Sequence, residues 1–180
     1  MLALKINTTK AFMHKLLIGD TFHIFSLAEA SITTFNQFHI DGKLHMDFFD
    51  TDTAQQLSEN GDIYSSWKDV KSYCYSIIRG KLPPLQFKFV MRLSPQQMML
   101  LPLSEDPSVP ADEILPAFSD VITVPAIRGL NLNLQYKNHE LFCTTGTFSR
   151  LFTLDKTFET TWDNAVMNFF RGHQIDFTIL

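Results

Sequence analysis

The sequence predicts an α+β fold in which an antiparallel sheet carries helices on one face. One segment alternates strictly between apolar and polar residues, and two others repeat apolar residues at helical spacing around a tryptophan. Such a sheet and such helices bury their apolar surfaces by packing against each other. With 180 residues, the chain is expected to form a single domain over residues 1–180.

The alternating segment, residues 131–147 with Leu130 before it, predicts a β-hairpin. Its apolar positions are Leu130, Leu132, Leu134 and Tyr136, and its amide positions are Asn131, Asn133 and Gln135. A two-residue turn at positions 137–138 would place Leu134 opposite Leu141, so that the apolar faces of the two strands coincide. We therefore expect the leucines under helices and the amides on the opposite face.

The first half of the chain is predicted to contain a strand, a helix and a second hairpin. In order, these are a strand over 2–6, a helix to about 18 and one or two strands within 22–35. Asp41-Gly42 then predicts a hairpin turn, because both residue types tolerate positive φ. This turn would place Phe38 opposite His45.

A polar segment, residues 50–64, is predicted to be a loop. The next helix is expected to start with a capping box, since Ser66 and Asp69 have the spacing that satisfies amides in a first turn. Its buried stripe is predicted to contain Trp67, Val70, Cys74, Ile77 and Ile78.

The second half is predicted to repeat strands and helices in a similar order. The expected elements are a strand over 85–93, a short helix at 96–101, an irregular segment at 103–119, strands at 120–124 and 152–154, a helix to about 171 and an edge strand at 175–180. The last helix is predicted to bury Phe158, Trp162, Val166, Phe169 and Phe170.

The two halves can be read as pseudo-repeats, 1–82 and 83–180. Each holds a strand, a polar-capped helix, a hairpin and a helix that contains a tryptophan and ends in Arg-Gly. Coarse similarity without duplication is the open alternative, because the long polar linker occupies different places in the two halves. This element order resembles the saddle of TATA-binding protein or a sliding-clamp domain, which implies one curved sheet.

Charge and cysteine content limit the classes of function. The net charge of −4 and the pI of about 5.8 disfavour nucleic acid and anionic membranes as partners. Two cysteines, the lack of a signal peptide and the lack of a membrane-length apolar run predict a cytoplasmic protein with no membrane partner. No phosphate-binding, dinucleotide-binding or nucleophile motif occurs, so we predict no cofactor and no catalytic residue.

His45 and Asp47 are the best candidates for metal or acid–base chemistry. As alternate residues they would share a face of the hairpin predicted at Asp41-Gly42, whereas His39 would lie on the other face. A metal site needs three or four ligands that converge at about 2 Å. A solvated His–Asp contact is therefore the favoured interpretation, and no metal ligand set is predicted.

Asn131, Asn133 and Gln135 are the best candidates for binding. An ordinary wet strand face carries more charged residues and threonine than amides, and amides can donate and accept hydrogen bonds at once. An ordinary solvated sheet face is the alternative.

The chain also resembles an uncharacterised family of bacterial proteins, a domain of unknown function. The resemblance rests on the stretches KLLIGDTFHIFSLAEASITTFNQFHIDG, SSWKDVKSYCYSIIRGK and LFCTTGTFSRLFTLDKTFETTWDNAV. It implies no activity, cofactor or catalytic residue.

Three functions therefore remain under consideration. The first is a non-enzymatic binding or protein-interaction module for an unknown protein or small ligand, acting through the amide face. The second is nucleic-acid binding on a curved sheet, which requires a basic stripe of Lys5, Lys10, Lys15, Lys43, Arg79 and Lys81. The third is a hydrolase or metal enzyme around His45 and Asp47.

Overall fold

The computed structural model describes residues 1–93, 97, 127–149 and 157–180. Apart from Gln97, the expected short helix, irregular segment and strand within residues 94–126, and the expected strand at 152–154, lie outside the described residues.

The described residues form four α-helices and eight strands. The helices are α1 (Thr9–Leu17), α2 (Thr51–Asn60), α3 (Trp67–Ile78) and α4 (Thr157–Gly172). The strands are β1 (Ala3–Ile6), β2 (Ser26–Thr33), β3 (Gln37–Asp41), β4 (Ser65–Ser66), β5 (Gln86–Leu93), β6 (Ile127–Lys137), β7 (Glu140–Ser149) and β8 (Phe177–Ile179). A short 3-10 turn, Met46–Phe48, precedes α2.

All the strands belong to one open, antiparallel sheet, which confirms the α+β class. The order is β3-β2-β5-β6-β7-β1-β8, and β4 pairs with β2 beside this path. β5 from the second half pairs with β2, and β1 from the first half pairs with β7, so strands of the two halves are mixed. The pseudo-repeats 1–82 and 83–180 stay a prediction.

The inner face of the sheet is apolar and packs against helices. Strand residues such as Leu27, Phe89 and Leu132 are fully buried there. Trp67 at the start of α3 packs on Phe89 with ring centroids 5.5 Å apart, and Phe12 of α1 contacts Phe170 of α4 at 5.9 Å. The helices α1, α3 and α4 thus contribute to one core with the strands.

Both tryptophans also use their indole N–H groups inside this core. Trp67 Nε1 donates to the Leu16 carbonyl at 2.9 Å, which joins α3 to the end of α1. Trp162 Nε1 donates to the Asn131 carbonyl at 3.2 Å, which joins α4 to β6. Buried indoles usually find such partners, because an unpaired donor would lose its bond to water.

The hairpin β6–β7 confirms the strongest sequence prediction, with a corrected register. Asn138 and His139 form the turn, with φ of 53° and 65°, and Leu134 lies opposite Cys143 instead of Leu141. The turn is one residue later than predicted, so the pairing shifts by two. A shift of two leaves every side chain on its predicted face.

The hairpin predicted at Asp41-Gly42 is wrong. β3 pairs with the preceding strand β2, with Ile32 opposite Phe38, and the chain reverses at residues 34–36. Gly42 instead lies against β2, where an added Cβ would stand 1.8 Å from the Leu27 carbonyl oxygen. This glycine permits a close backbone approach and does not form a turn.

The loop predicted for residues 50–64 is also wrong, because α2 occupies most of it. Asp50 caps the helix by accepting from the Thr53 amide at 2.9 Å, and Gly61 ends it with φ of 73°. No residue of α2 is buried. The sequence of α2 therefore shows no apolar stripe that would have predicted a helix, although the residues that cap both of its ends are present.

The two helices that contain tryptophan lie where they were predicted, but Val70, Ile77 and Ile78 of the predicted α3 stripe are only partly buried, and the predicted cap of α3 is wrong. Trp67 and Cys74 of α3 are buried, and all five residues predicted for the α4 stripe are buried. The Ser66 side chain makes no capping bond, so the capping box is wrong. Ser66 belongs to β4, and the Trp67 amide donates instead to the Phe25 carbonyl at 3.0 Å.

Candidate functional site: the outer face of the sheet

The predicted amide ladder lies on the outer face of the sheet, opposite the core. Asn131, Asn133 and Gln135 alternate along β6 with buried leucines. Their neighbours on β5 are Arg92, Val90 and Lys88, in that order. Gln135 and Lys88 are exposed and Asn131 and Asn133 partly buried, so solvent reaches this face.

The three amide side chains differ in the hydrogen bonds that they make within the protein. Asn131 Oδ1 accepts from Arg92 Nε at 3.2 Å, and Asn133 Nδ2 donates to Thr144 Oγ1 at 3.4 Å. Within the described part of the chain, the Gln135 side chain makes no hydrogen bond. The ladder therefore retains donors and acceptors for a partner, most of all at Gln135.

Arg92 contacts two polar side chains and two aromatic rings on this face. Its Nη1 donates to Tyr64 Oη at 2.7 Å, and its guanidinium lies 4.8 Å from the centre of the Tyr64 ring and 5.5 Å from that of Phe148. Gly129 makes room for it, because a Cβ there would stand 2.7 Å from Arg92 Nη2. Two rings and two hydrogen bonds hold the guanidinium in one orientation.

Within residues 1–93, 97, 127–149 and 157–180, Arg92 forms no salt bridge with a carboxylate. The adjacent cation on β5, Lys88, does have one, since its Nζ lies 3.8 Å from Glu29 Oε2. Arg92 borders a cavity of about 290 Å³ that Tyr64, Gly129 and Asp62 also line. The arrangement can accept an anionic or carbonyl oxygen beside the amides.

His45 and Asp47 do not join this site. His45 precedes the 3-10 turn and Asp47 lies within it, and both are exposed in the connection between β3 and α2. The hairpin face on which they were placed does not exist. Among the described residues, no group of three or more His, Cys, Asp or Glu side chains could hold a metal ion.

Both cysteines belong to the core, as predicted. Cys74 and Cys143 are fully buried and unpaired. Burial raises the pKa of the Cys74 thiol from 9.0 to about 12 and also raises the pKa of Cys143. Neither thiol is ionised near neutral pH, so neither has the character of a nucleophile.

The basic stripe required for nucleic-acid binding does not form along the sheet. Lys5 lies in β1, where its Nζ contacts Glu140 Oε1 at 2.6 Å. Lys10 and Lys15 belong to α1, and Arg79 follows α3, so these cations lie in the helical layer. Four of the six predicted residues are thus divided between the two layers of the molecule.

The sequence interpretation did not include Arg92, Tyr64, Gly129 or Phe148. Arg92 follows Met91 in a strand whose alternate residues are buried, which already placed it on the outer face with Asn131. Its contact with Tyr64 depends on the path of the chain after α2 and had no local signal. Gly129, a glycine inside a strand, was the available hint of a close approach.

The fold and this site define an α+β protein with a sheet that is covered by helices on one face and polar on the other. A family model described as a family of unknown function, DUF5721, matches residues 15–178, so the chain belongs to that family. Searches of curated proteins and of solved structures each found no match. Among the described residues, no helix combines the length and apolar character needed to cross a bilayer.

Proposed function

We propose that this protein is a non-enzymatic binding or protein-interaction module that uses the outer face of its sheet. The binding surface consists of Arg92, Asn131, Asn133 and Gln135. The observation that carries the proposal is the fixed orientation of Arg92 on a solvent-accessible face, without a carboxylate partner among the described residues. An oriented guanidinium loses little freedom on binding, which favours a partner that presents oxygen acceptors.

The chemistry of the surface favours a protein segment or small ligand with a carboxylate next to amide or carbonyl groups. Arg92 would contact the carboxylate, and Gln135 and Asn133 would exchange hydrogen bonds with the neutral polar groups. Lys88 contributes less, because Glu29 already offsets its charge. The net charge of the protein, −4, repels anions in general. A carboxylate partner should therefore bind only if it also forms hydrogen bonds with the amides.

The test is to replace the three amides by Ala and to measure capture of an identified partner together with the melting temperature. We expect capture to be lost and melting to be unchanged, because all three side chains lie outside the core. A matched control replaces Gln55, Gln56 and Asn164, which are exposed amides on α2 and α4. Capture that survives the first triple variant, or that fails equally in the control, would remove the proposal.

We also propose a cytoplasmic location. Both cysteines are unpaired, which is typical of a reducing compartment.

A further inference from the structure

A second concave surface lies in the helical layer, on the other side of the sheet. It is a groove of about 350 Å³ between α1, the end of α3 and residues 83–84, and it reaches Phe87 and Tyr136 at the ends of β5 and β6. We call it the α1–α3 groove. Its volume lies within the range of about 300–1,000 Å³ that is usual for small-molecule sites.

The walls of the groove are apolar and firmly supported. Met13 and Leu17 of α1 face Ile78 of α3, and Phe87 and Tyr136 close one end. The rings of Phe87 and Tyr136 stack with centroids 5.1 Å apart and an angle of 12°. Both are almost fully buried, so this end of the groove is part of the core and is already formed without a ligand.

The groove itself is almost wholly apolar, and the charged side chains at its exposed border are basic. Lys10, His14 and Arg79 line it, and no Asp or Glu occurs among its described lining residues. The guanidinium of Arg79 lies 5.8 Å from the centre of the Tyr75 ring, which also lines the groove. In a chain with a net charge of −4, a groove whose charged lining residues, Lys10 and Arg79, are both basic is a local departure from the overall balance of charge.

We propose that the α1–α3 groove binds an anionic amphiphile, with an apolar body against Met13 and Ile78 and a carboxylate beside Lys10 and Arg79. When the apolar body of the ligand binds, apolar surface of both the ligand and the groove is removed from water, which favours binding. The carboxylate meets two cations, since lysine and arginine side chains are protonated at neutral pH. This site is separate from the outer face of the sheet and does not depend on the function proposed above.

The carboxylate is the part of the ligand that the groove can select. A neutral alcohol of equal length would bury the same apolar area but leave both cations unpaired. An alkylammonium ion would in addition be repelled by Lys10 and Arg79. Binding is therefore expected in the order carboxylate, alcohol, ammonium, with the apolar contact common to all.

The experiment is titration calorimetry of the full chain with decanoate, decanol and decylammonium, each below its aggregation concentration. We expect decanoate to bind best. The double variant Lys10→Gln/Arg79→Gln should weaken decanoate about tenfold and leave decanol unchanged, because each exposed ion pair contributes only modestly. Lys43→Gln/Lys68→Gln, which removes two exposed lysines outside the groove, is the matched control and should change nothing.

A second variant tests the apolar part of the site. Ile78→Trp places a larger side chain in the groove from a partly buried position and should abolish decanoate binding while the melting transition stays cooperative. No saturable decanoate binding, equal binding of decylammonium, or an unaltered affinity in Lys10→Gln/Arg79→Gln would overturn the proposal.

Discussion

The position of the Arg92 guanidinium depends on a residue with no side chain. Gly129 lies beside it in β6, and the space that a Cβ would fill is occupied by Arg92 Nη2. A polar strand face usually has mobile side chains, but here two aromatic rings and a missing methyl group together define one location. Recognition by this face thus depends on small residues as much as on charged ones.

Gly129→Ala should move Arg92 without unfolding the protein. The new Cβ meets only a flexible side chain, so the guanidinium can shift and lose its bond to Tyr64, with a stability loss of about 1 kcal/mol. The Arg92 Nε–Hε resonance in an NMR spectrum should change, and capture of a partner should weaken.

Gly146→Ala provides the matched control on the neighbouring strand. A Cβ there meets only Asn131 Cβ, at an ordinary distance of 3.8 Å, so Arg92 should stay in place. An Arg92 resonance that is identical in wild type and Gly129→Ala would contradict the proposed role of this glycine.

At the scale of elements, helices and strands were predicted correctly where buried apolar residues recur at a regular spacing. They were missed where an element buries no residues. The hairpin β6–β7 buries every second residue and α4 buries residues at a helical spacing, and both elements were predicted. α2 has no buried residue, so only Asp50 and Gly61 at its ends indicated a helix. Asp41-Gly42 was misread because glycine serves both turns and close contacts, and sequence alone does not distinguish these roles.

The stability of α2 should depend on pH through Asp50. Hydrogen bonds from the Thr53 amide and hydroxyl hold the pKa of this carboxyl below its ordinary value of 3.8. A carboxyl with a lowered folded-state pKa stabilises the fold above its unfolded pKa, and the contribution disappears as pH falls through the folded value. Protection of the Thr53 amide from hydrogen exchange should therefore fall as the pH drops below about 4.

Asp50→Asn separates the charge of this cap from its hydrogen bond. Asparagine still accepts from the Thr53 amide but does not titrate, so the variant should lack the pH-dependent loss of protection. Thr53 protection that declines equally in both proteins would show that another group is responsible.

At the scale of the whole molecule, the outer face of the sheet could be found from the sequence, but the contacts of Arg92 on that face could not. Alternation in β6 placed Asn131, Asn133 and Gln135 correctly on the side away from the core. The Tyr64–Arg92 contact joins residues from separate elements across a sheet whose strand order is not sequential. The shared face predicted for His45 and Asp47 was wrong for the same reason, since it presupposed a strand pairing that the sheet does not contain.

The two buried thiols should report unfolding of the whole molecule. Cys74 packs in α3 and Cys143 in β7, on the two sides of the same core, and the raised pKa keeps each in its unreactive protonated form. Modification by a disulfide reagent at about pH 8 should be slower by a factor of about a thousand or more in native protein than in urea.

The Cys74 thiol ionises at a lower pH in the unfolded chain than in the folded protein. The free energy of unfolding should therefore decline as the pH rises from 9.0 toward 12. In urea both cysteines should react, and a rapid reaction of either one in the native state would contradict their place in the core.

The pairing of β1 with β7 determines when this protein can fold during its synthesis. Ala3 lies opposite Thr144, and Leu4 is also paired with Ile179 in the last strand. β1 must therefore remain unpaired until β7 has been translated. A large loss of loop entropy precedes that contact, so completion of the sheet is a late event in the life of each nascent chain.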